Sequence, residues 1–212
     1  MDPHIKAMID QAEAAAAGQP APPLDAIPPE MIRAGYRMQR AAQNLNAPKD
    51  VEARDLQVDG ADGPIGARLY TPAGAPATTP GLVYFHGGGF AIGDLESHDG
   101  HCRRLASFAG IRVLAVDYRL APEHPFPAGH DDALASVKWV FDHAAEIGFD
   151  PARIAVGGCS AGGNLATSVS IDLKKKKKRK LAFKLLIYPG IWPDEETQSR
   201  KDLDGPILTK AA

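Results

Sequence analysis

Short apolar runs bounded by turn-forming residues alternate with stretches of helical periodicity over most of this chain. Leu82-Val83-Tyr84-Phe85, residues 113–117, residues 154–157 and residues 183–188 are four to six residues long and rich in β-branched or aliphatic side chains. Runs of that length suit buried strands better than helices. Residues 97–109, 131–147 and 161–173 read as the helices between them. Residues 51–58 and 66–70 read as two further strands, joined through 59–64 into an antiparallel hairpin. Upstream, helical patterns at 5–17 and 30–44 flank a proline-rich stretch at 19–29. Alternation of this kind implies an α/β fold, with a mostly parallel sheet covered by helices on both faces and ligands bound at the carboxyl ends of the strands.

Two predicted strand ends carry chemistry. After 154–157 comes Gly158-Cys159-Ser160-Ala161-Gly162, followed at once by a helix-forming stretch. Strand, sharp turn and helix together are the setting in which a nucleophilic serine is held out of the backbone. Side chains at Gly158 or Gly162 would strike the neighbouring strand and helix. The same five-residue string also occurs by chance in unrelated chains. The second strand end is His86-Gly87-Gly88-Gly89-Phe90, where an apolar run stops in three glycines. Unshielded glycine N–H groups can approach the oxyanion of an acyl-transfer intermediate closely, and the N–H of Ala161 would complete such a hole. Standing alone, the triplet also reads as a flexible loop. Both motifs fall at the carboxyl ends of predicted strands, which joins them into one site.

A third motif runs from Asp117-Tyr118-Arg119-Leu120 through Ala121-Pro122-Glu123-His124 to Pro125-Phe126-Pro127-Ala128. With Gly93-Asp94, Ser97-His98-Asp99, Gly163-Asn164-Leu165-Ala166 and Leu186-Ile187-Tyr188-Pro189, the set resembles the hormone-sensitive lipase family of α/β-hydrolases, also called the bacterial class IV esterases. The resemblance covers roughly residues 50–192. It implies an α/β-hydrolase core with an N-terminal helical cap, and serine carboxylesterase activity on short-chain acyl esters with no metal or other cofactor. It assigns Ser160 as nucleophile and the main-chain N–H groups of Gly88, Gly89 and Ala161 as the oxyanion hole. His86, Gly87, Gly158 and Gly162 support the motifs, His86 as a structural residue. It divides the chain into a cap segment at 1–46, an incomplete hydrolase core at 47–190 and the start of a second cap segment at 191–212. Met8, Ile9, Met31, Ile32 and Tyr36 are candidate walls of an acyl pocket.

The chain also departs from that pattern. In the family the triad runs serine, acid, histidine, yet none of the 7 histidines follows Ser160, the last being His143. The resemblance therefore implies that the last strands of the sheet, with the loops bearing acid and base, are missing. His98, His101, His124, His130 and His143 read as loop, helix-start or packing residues. Asp194, Glu195, Glu196, Asp202 and Asp204 read as solvated surface. The alternative to an esterase is a non-catalytic or split-enzyme binding domain of the same fold. Cys159 stands where the family usually has an acidic residue, which implies a changed hydrogen-bond arrangement behind the nucleophile. A strand at 183–188 with no outer neighbour would expose an apolar sheet edge and invite self-association.

Composition alters this picture little. A hydrophobic content of 44% suits a globular protein. The net charge of -2 conceals the run from Lys174 to Lys180, seven consecutive cations, while the rest of the chain has 17 basic against 26 acidic side chains. Mutual repulsion predicts a frayed helix end and a solvated loop there. Without interleaved aromatics or a nucleic-acid module, the run gives no reason to expect a nucleic-acid partner. Cys102 and Cys159 are too few for a disulfide framework and too isolated for zinc, which fits a cytoplasmic location. No apolar stretch approaches the ~18 residues of a membrane span. The expected partner is a small acyl ester.

Overall fold

Continuous apolar runs become strands because both faces of the sheet are covered. In the computed structural model, which describes residues 2–16, 26–176 and 179–191, side chains along β3 (Thr79–Phe85) alternate between two cores. Val83 and Phe85 pack toward α4 (Ala128–Asp142) and α5 (Ala161–Lys176), among Val137, Val140, Leu165 and Val169. Leu82 and Tyr84 pack the other way, toward Cys102 and Ala106 of α3 (Asp99–Ala109). Each large apolar side chain buried in this way contributes about 1.5–3 kcal/mol relative to exposure.

Besides β3, the sheet contains β1 (Val51–Gly60), β2 (Gly63–Pro72), β4 (Arg112–Val116), β5 (Phe149–Cys159) and β6 (Phe183–Ile187), six strands in the order β1-β2-β4-β3-β5-β6. The hairpin of β1 and β2 closes at Gly60 and Gly63, and β2 meets β4 antiparallel. From β4 through β3 and β5 to β6 every pairing is parallel. The sheet is thus mixed at one margin and parallel where the motif residues lie. Among the described residues no strand pairs with the outer edge of β6, and Phe183 on it is 64% exposed.

Several boundaries differ from the sequence reading. Expected to begin at 154, β5 begins at Phe149, because Phe149 pairs with Thr79 ahead of a register shift. Expected to run to 147, α4 stops at Asp142, and His143, Glu146 and Gly148 turn through short backbone bonds instead. The helix expected to fray at Lys174 continues to Lys176, with Lys175 3.7 Å from Asp172 one turn back. Arg179 then pairs with Asp142 at 2.6 Å and lies over the Phe141 ring.

Helix α2 (Pro29–Asn44) buries none of its residues and meets the core through polar contacts. Arg33 donates to the carbonyls of Ala91 and Ala121 and pairs with Glu123 at 2.7 Å; Arg37 pairs with Asp94. Asn44 donates to the Glu96 carbonyl and accepts from the Gly100 N–H. By itself, α1 (Pro3–Ala16) is a helix with an Asp2 carboxylate accepting the His4 N–H and a Lys6–Asp10 pair at 2.7 Å. The side chains of Met8 and Ile9 lie outside the described residues, as do most of the proline-rich stretch and the segment from 192 onward. Among the described residues no helix is long and apolar enough to cross a membrane.

Candidate active site

Register brings the two motif loops together. Phe85 of β3 lies opposite Gly158 of β5, so Gly87 and Ser160, each two residues further on, leave the sheet at the same level. A Cβ placed on Gly87 would stand 3.4 Å from the Ser160 Cβ. Ser160 itself is in the left-handed region, with φ of 52°, a conformation that costs a non-glycine residue about 1–2 kcal/mol. Its surroundings hold it there. The Ser160 N–H donates to the Ile187 carbonyl at 3.0 Å, and the Ser160 carbonyl accepts from Asn164 N at 3.1 Å and Gly190 N at 3.2 Å. The Asn164 amide closes the arrangement by donating to the Gly190 carbonyl at 2.6 Å. A methyl group on Gly162 or Gly158 would collide with the Phe85 carbonyl, so the first turn of α5 rests directly on the end of β3.

The glycine loop turns beside it. Gly88 has φ of 134° and Gly89 φ of 60°, conformations open to glycine at little cost. The Gly88 carbonyl accepts from the N–H groups of Ala91 and Ile92 at 3.1 and 2.9 Å. Among the described residues, the N–H groups of Gly88, Gly89 and Ala161 have no acceptor within hydrogen-bond range. Ala161 opens α5, where first-turn donors lack intrahelical partners and the helix dipole favours negative charge. Below the loop, His86 is 3% exposed and stacks on Tyr118 with ring centroids 4.3 Å apart. Its Nδ1–H donates to the Gly87 carbonyl at 3.0 Å, and its own carbonyl accepts the Tyr118 hydroxyl at 2.8 Å. Burial holds the His86 pKa down to about 4, so the ring is neutral near pH 7.

A cavity of about 330 Å³ adjoins this crown, lined by Gly89, Phe90, His124, Phe126, Asn164 and Leu165 among others. The loop after β4 that forms one wall is anchored by Asp132, a fully buried carboxylate. It accepts from Arg119 Nε at 2.8 Å, Arg119 Nη2 at 2.9 Å, Arg119 N at 3.1 Å and Ala61 N at 2.9 Å. Burial alone would raise the Asp132 pKa; the bonds from Arg119 and Ala61 bring it below the ordinary carboxylate value. Nothing in the sequence marked Arg33 or Arg37, whose partners are 57 to 90 positions away, or Asp132, whose partners Arg119 and Ala61 are 13 and 71 positions away.

Three other histidines are engaged away from the serine. His130 lies 3.2 Å from Asp131 and 3.5 Å from Asp172, His143 stacks on Trp139, and His101 packs against Tyr84. Among the described residues no imidazole or carboxylate is within hydrogen-bond distance of the Ser160 Oγ. Among them also, no group of three or more His, Cys, Asp or Glu side chains could hold a metal ion. Of the proposed acyl-pocket walls, Met31 is 63% exposed, whereas Tyr36 is half-buried beside the His98 ring, with centroids 6.2 Å apart. Asp194, Glu195, Glu196, Asp202 and Asp204 lie outside the described residues.

A family model of the alpha/beta hydrolase fold matches residues 82–212. Esterase LipI of Mycobacterium tuberculosis is 46% identical over 157 residues, which are 73% of this chain and 49% of that protein. Carboxylesterase NlhH of the same organism is 41% identical over 182 residues, 85% of this chain and 57% of that protein. The chain thus spans about half the length of these curated relatives. Among solved structures, the ester hydrolase EH1AB1 from the metagenome of Lake Arreo superposes with a TM-score of 0.92 at 38% identity, covering 100% of this chain and 67% of that one. The hyperthermophilic esterase of Pyrobaculum calidifontis superposes with a TM-score of 0.87 at 36% identity, covering 99% and 66%.

Proposed function

This chain belongs to the hormone-sensitive lipase family of α/β-hydrolases, and from that premise we propose that it is a serine carboxylesterase scaffold for short-chain acyl esters. The observation that supports this best is the strained Ser160, held at positive φ where the in-register loops of β3 and β5 meet. Its Oγ attacks the ester carbonyl carbon, and the carbonyl oxygen becomes an oxyanion facing the N–H groups of Gly88, Gly89 and Ala161. Donors fixed in advance by a helix start and a glycine turn stabilise that charge without reorganising. Collapse of the intermediate expels the alcohol and leaves an acyl-serine, which water hydrolyses to the free acid. The adjoining cavity of about 330 Å³ is near the lower end of ligand-site volumes, which suits a short acyl or alcohol group.

The imidazole that takes the Ser160 proton, and the carboxylate that orients it, are absent from this chain in this reading, the last of its histidines being His143. With an oxyanion hole and substrate binding alone, residual catalysis of ~10³ over water is expected. Exposure of the chain to a fluorophosphonate, followed by peptide mass mapping, tests the proposal. The expected result is a single adduct on Ser160, absent from Ser160→Ala. An adduct confined to another residue would overturn it. A second reading, a catalytically silent binding domain of the same fold, draws support from the lack of a partner for the Ser160 Oγ among the described residues. No labelling after prolonged exposure favours that reading.

A further inference from the structure

Cys159, the residue before Ser160, is 4% exposed, and its Sγ lies 3.8 Å from Nε2 of His98, itself 2% exposed. The other ring nitrogen, Nδ1, is 3.0 Å from the Ser97 Oγ. Which nitrogen carries the proton follows from Ser97. Its single hydroxyl proton is assigned to the Asp94 carbonyl at 3.0 Å, a group that can only accept, while its oxygen accepts the Asp94 N–H at 2.9 Å. What the hydroxyl has left to offer Nδ1 is a lone pair, so Nδ1 is the donor and Nε2 presents a lone pair to the sulfur. The Asp94 carbonyl also favours a proton on this ring. Burial first, then the neighbouring His86, Arg40 and His101, push the His98 pKa down to about 3, so the ring is neutral near pH 7. The hydroxyls of the buried Tyr84 and of Tyr188 approach the same sulfur and can donate to its lone pairs.

We propose that Cys159 is a positioning residue whose S–H donates to Nε2 of a neutral His98, tying the backbone beneath Ser160 to α2 through Ser97, Asp94 and Arg37. The outer links are the Ser97 N–H, donated to the Asp94 carboxylate at 2.7 Å, and the ion pair of that carboxylate with Arg37. The thiol matters because of the direction of its bond. An ionised carboxylate at position 159 could only accept, so it would draw the ring proton to Nε2. Thiol and carboxylate therefore select opposite tautomers of one buried histidine. The meaning of this pair for catalysis rests on the reading of Ser160 as nucleophile, whereas the tautomer does not.

Long-range proton–nitrogen NMR of the full chain, with His98 assigned through His98→Asn, reads the tautomer without reference to turnover. The expected result is the Nδ1–H form from about pH 6 to 8, retained in Cys159→Ser, whose hydroxyl also donates. In Cys159→Asp the proton is expected on Nε2, alone or with Nδ1. An Nε2–H ring in the unaltered chain, or an unchanged ring in a folded Cys159→Asp, overturns the proposal. If Cys159→Asp does not fold, the infrared S–H stretch of Cys159 in Cys102→Ala supplies the second reading. It is expected to shift when His98→Asn is added, and an unmoved band overturns the bond. Coupling to α2 is read separately. Arg37→Ala is expected to raise the rate of Cys159 alkylation about tenfold through local opening, with Cys102 unaffected; equal rates overturn that link.

Discussion

The turn after β5 and the run after α5 belong to the same helical connection, yet they are held by different kinds of constraint. Around Ser160 the neighbours are backbone atoms: the carbonyls of Phe85 and Ile187 and the N–H groups of Asn164 and Gly190. At the end of α5 and along β6 the described side chains are partly or fully open to solvent. Lys174, Lys175 and Lys184 are exposed, β6 buries none of its residues fully, and Arg179 is fixed by an ion pair at the surface. Backbone cannot rotate out of the way as a lysine can. A strained serine can therefore persist at the first place and could not at the second.

The sharpest way to break that contrast is Gly162→Ala. Its methyl group meets the Phe85 carbonyl, which cannot retreat without breaking the β3–β5 ladder, so a loss of about 3 kcal/mol or more in urea unfolding is expected. Gly89→Ala is its control: there is open space around the added methyl group, and only the φ of 60° is penalised, at about 1 kcal/mol. Equal losses at the two sites would show that backbone crowding is not what distinguishes the crown. Acid titration sharpens the comparison next. His86 and His98 have pKa values of about 4 and about 3 in the folded chain against 6.5 when free. Their folded values are depressed, so the unfolded chain takes up more protons below pH 6.5. Stability is whole above that pH and falls as acid is added, by up to roughly 1.4 kcal/mol per pH unit for each histidine. Calorimetric melts should show this slope, reduced in His98→Asn; a flat profile from about pH 6.5 to 5 contradicts the assignment of two buried neutral rings. The smallest effect belongs to the other region. Arg179→Ala removes a surface ion pair and should change unfolding free energy by no more than about 0.5 kcal/mol.

The same contrast explains what was legible in the sequence. The elbow and the glycine loop can be read because their geometry demands particular small residues in a short window, and the apolar runs because the sheet is covered on both faces. The chain of contacts from Arg37 through Asp94 and Ser97 to His98 and Cys159 could not be read. It joins residues 57 and 61 positions apart, so although Asp94, Ser97, His98 and Cys159 each stood out in the sequence, nothing local showed that they meet. Asp132 was hidden because nothing local showed that it meets Arg119, 13 positions earlier, and Ala61, 71 positions earlier. Local charge alone placed the end of α5 too early, because Asp172 one turn back offsets part of the repulsion that was expected to fray the helix at Lys174; residues 177 and 178 of the run lie outside the described residues. Pro151 and the charged Asp150 and Arg153 likewise obscured the start of β5, whose pairing with Thr79 is set by the partner strand and not by its own sequence.

The alignment of Phe85 with Gly158 also limits how such a chain can change over evolutionary time. Adding or deleting one codon within either strand would turn its inward residues outward and carry its loop to a different height, separating the serine from the donors opposite. Length variation is left to the segments leading away from the crown, which lets descendants alter what they bind while the two strand ends stay in step.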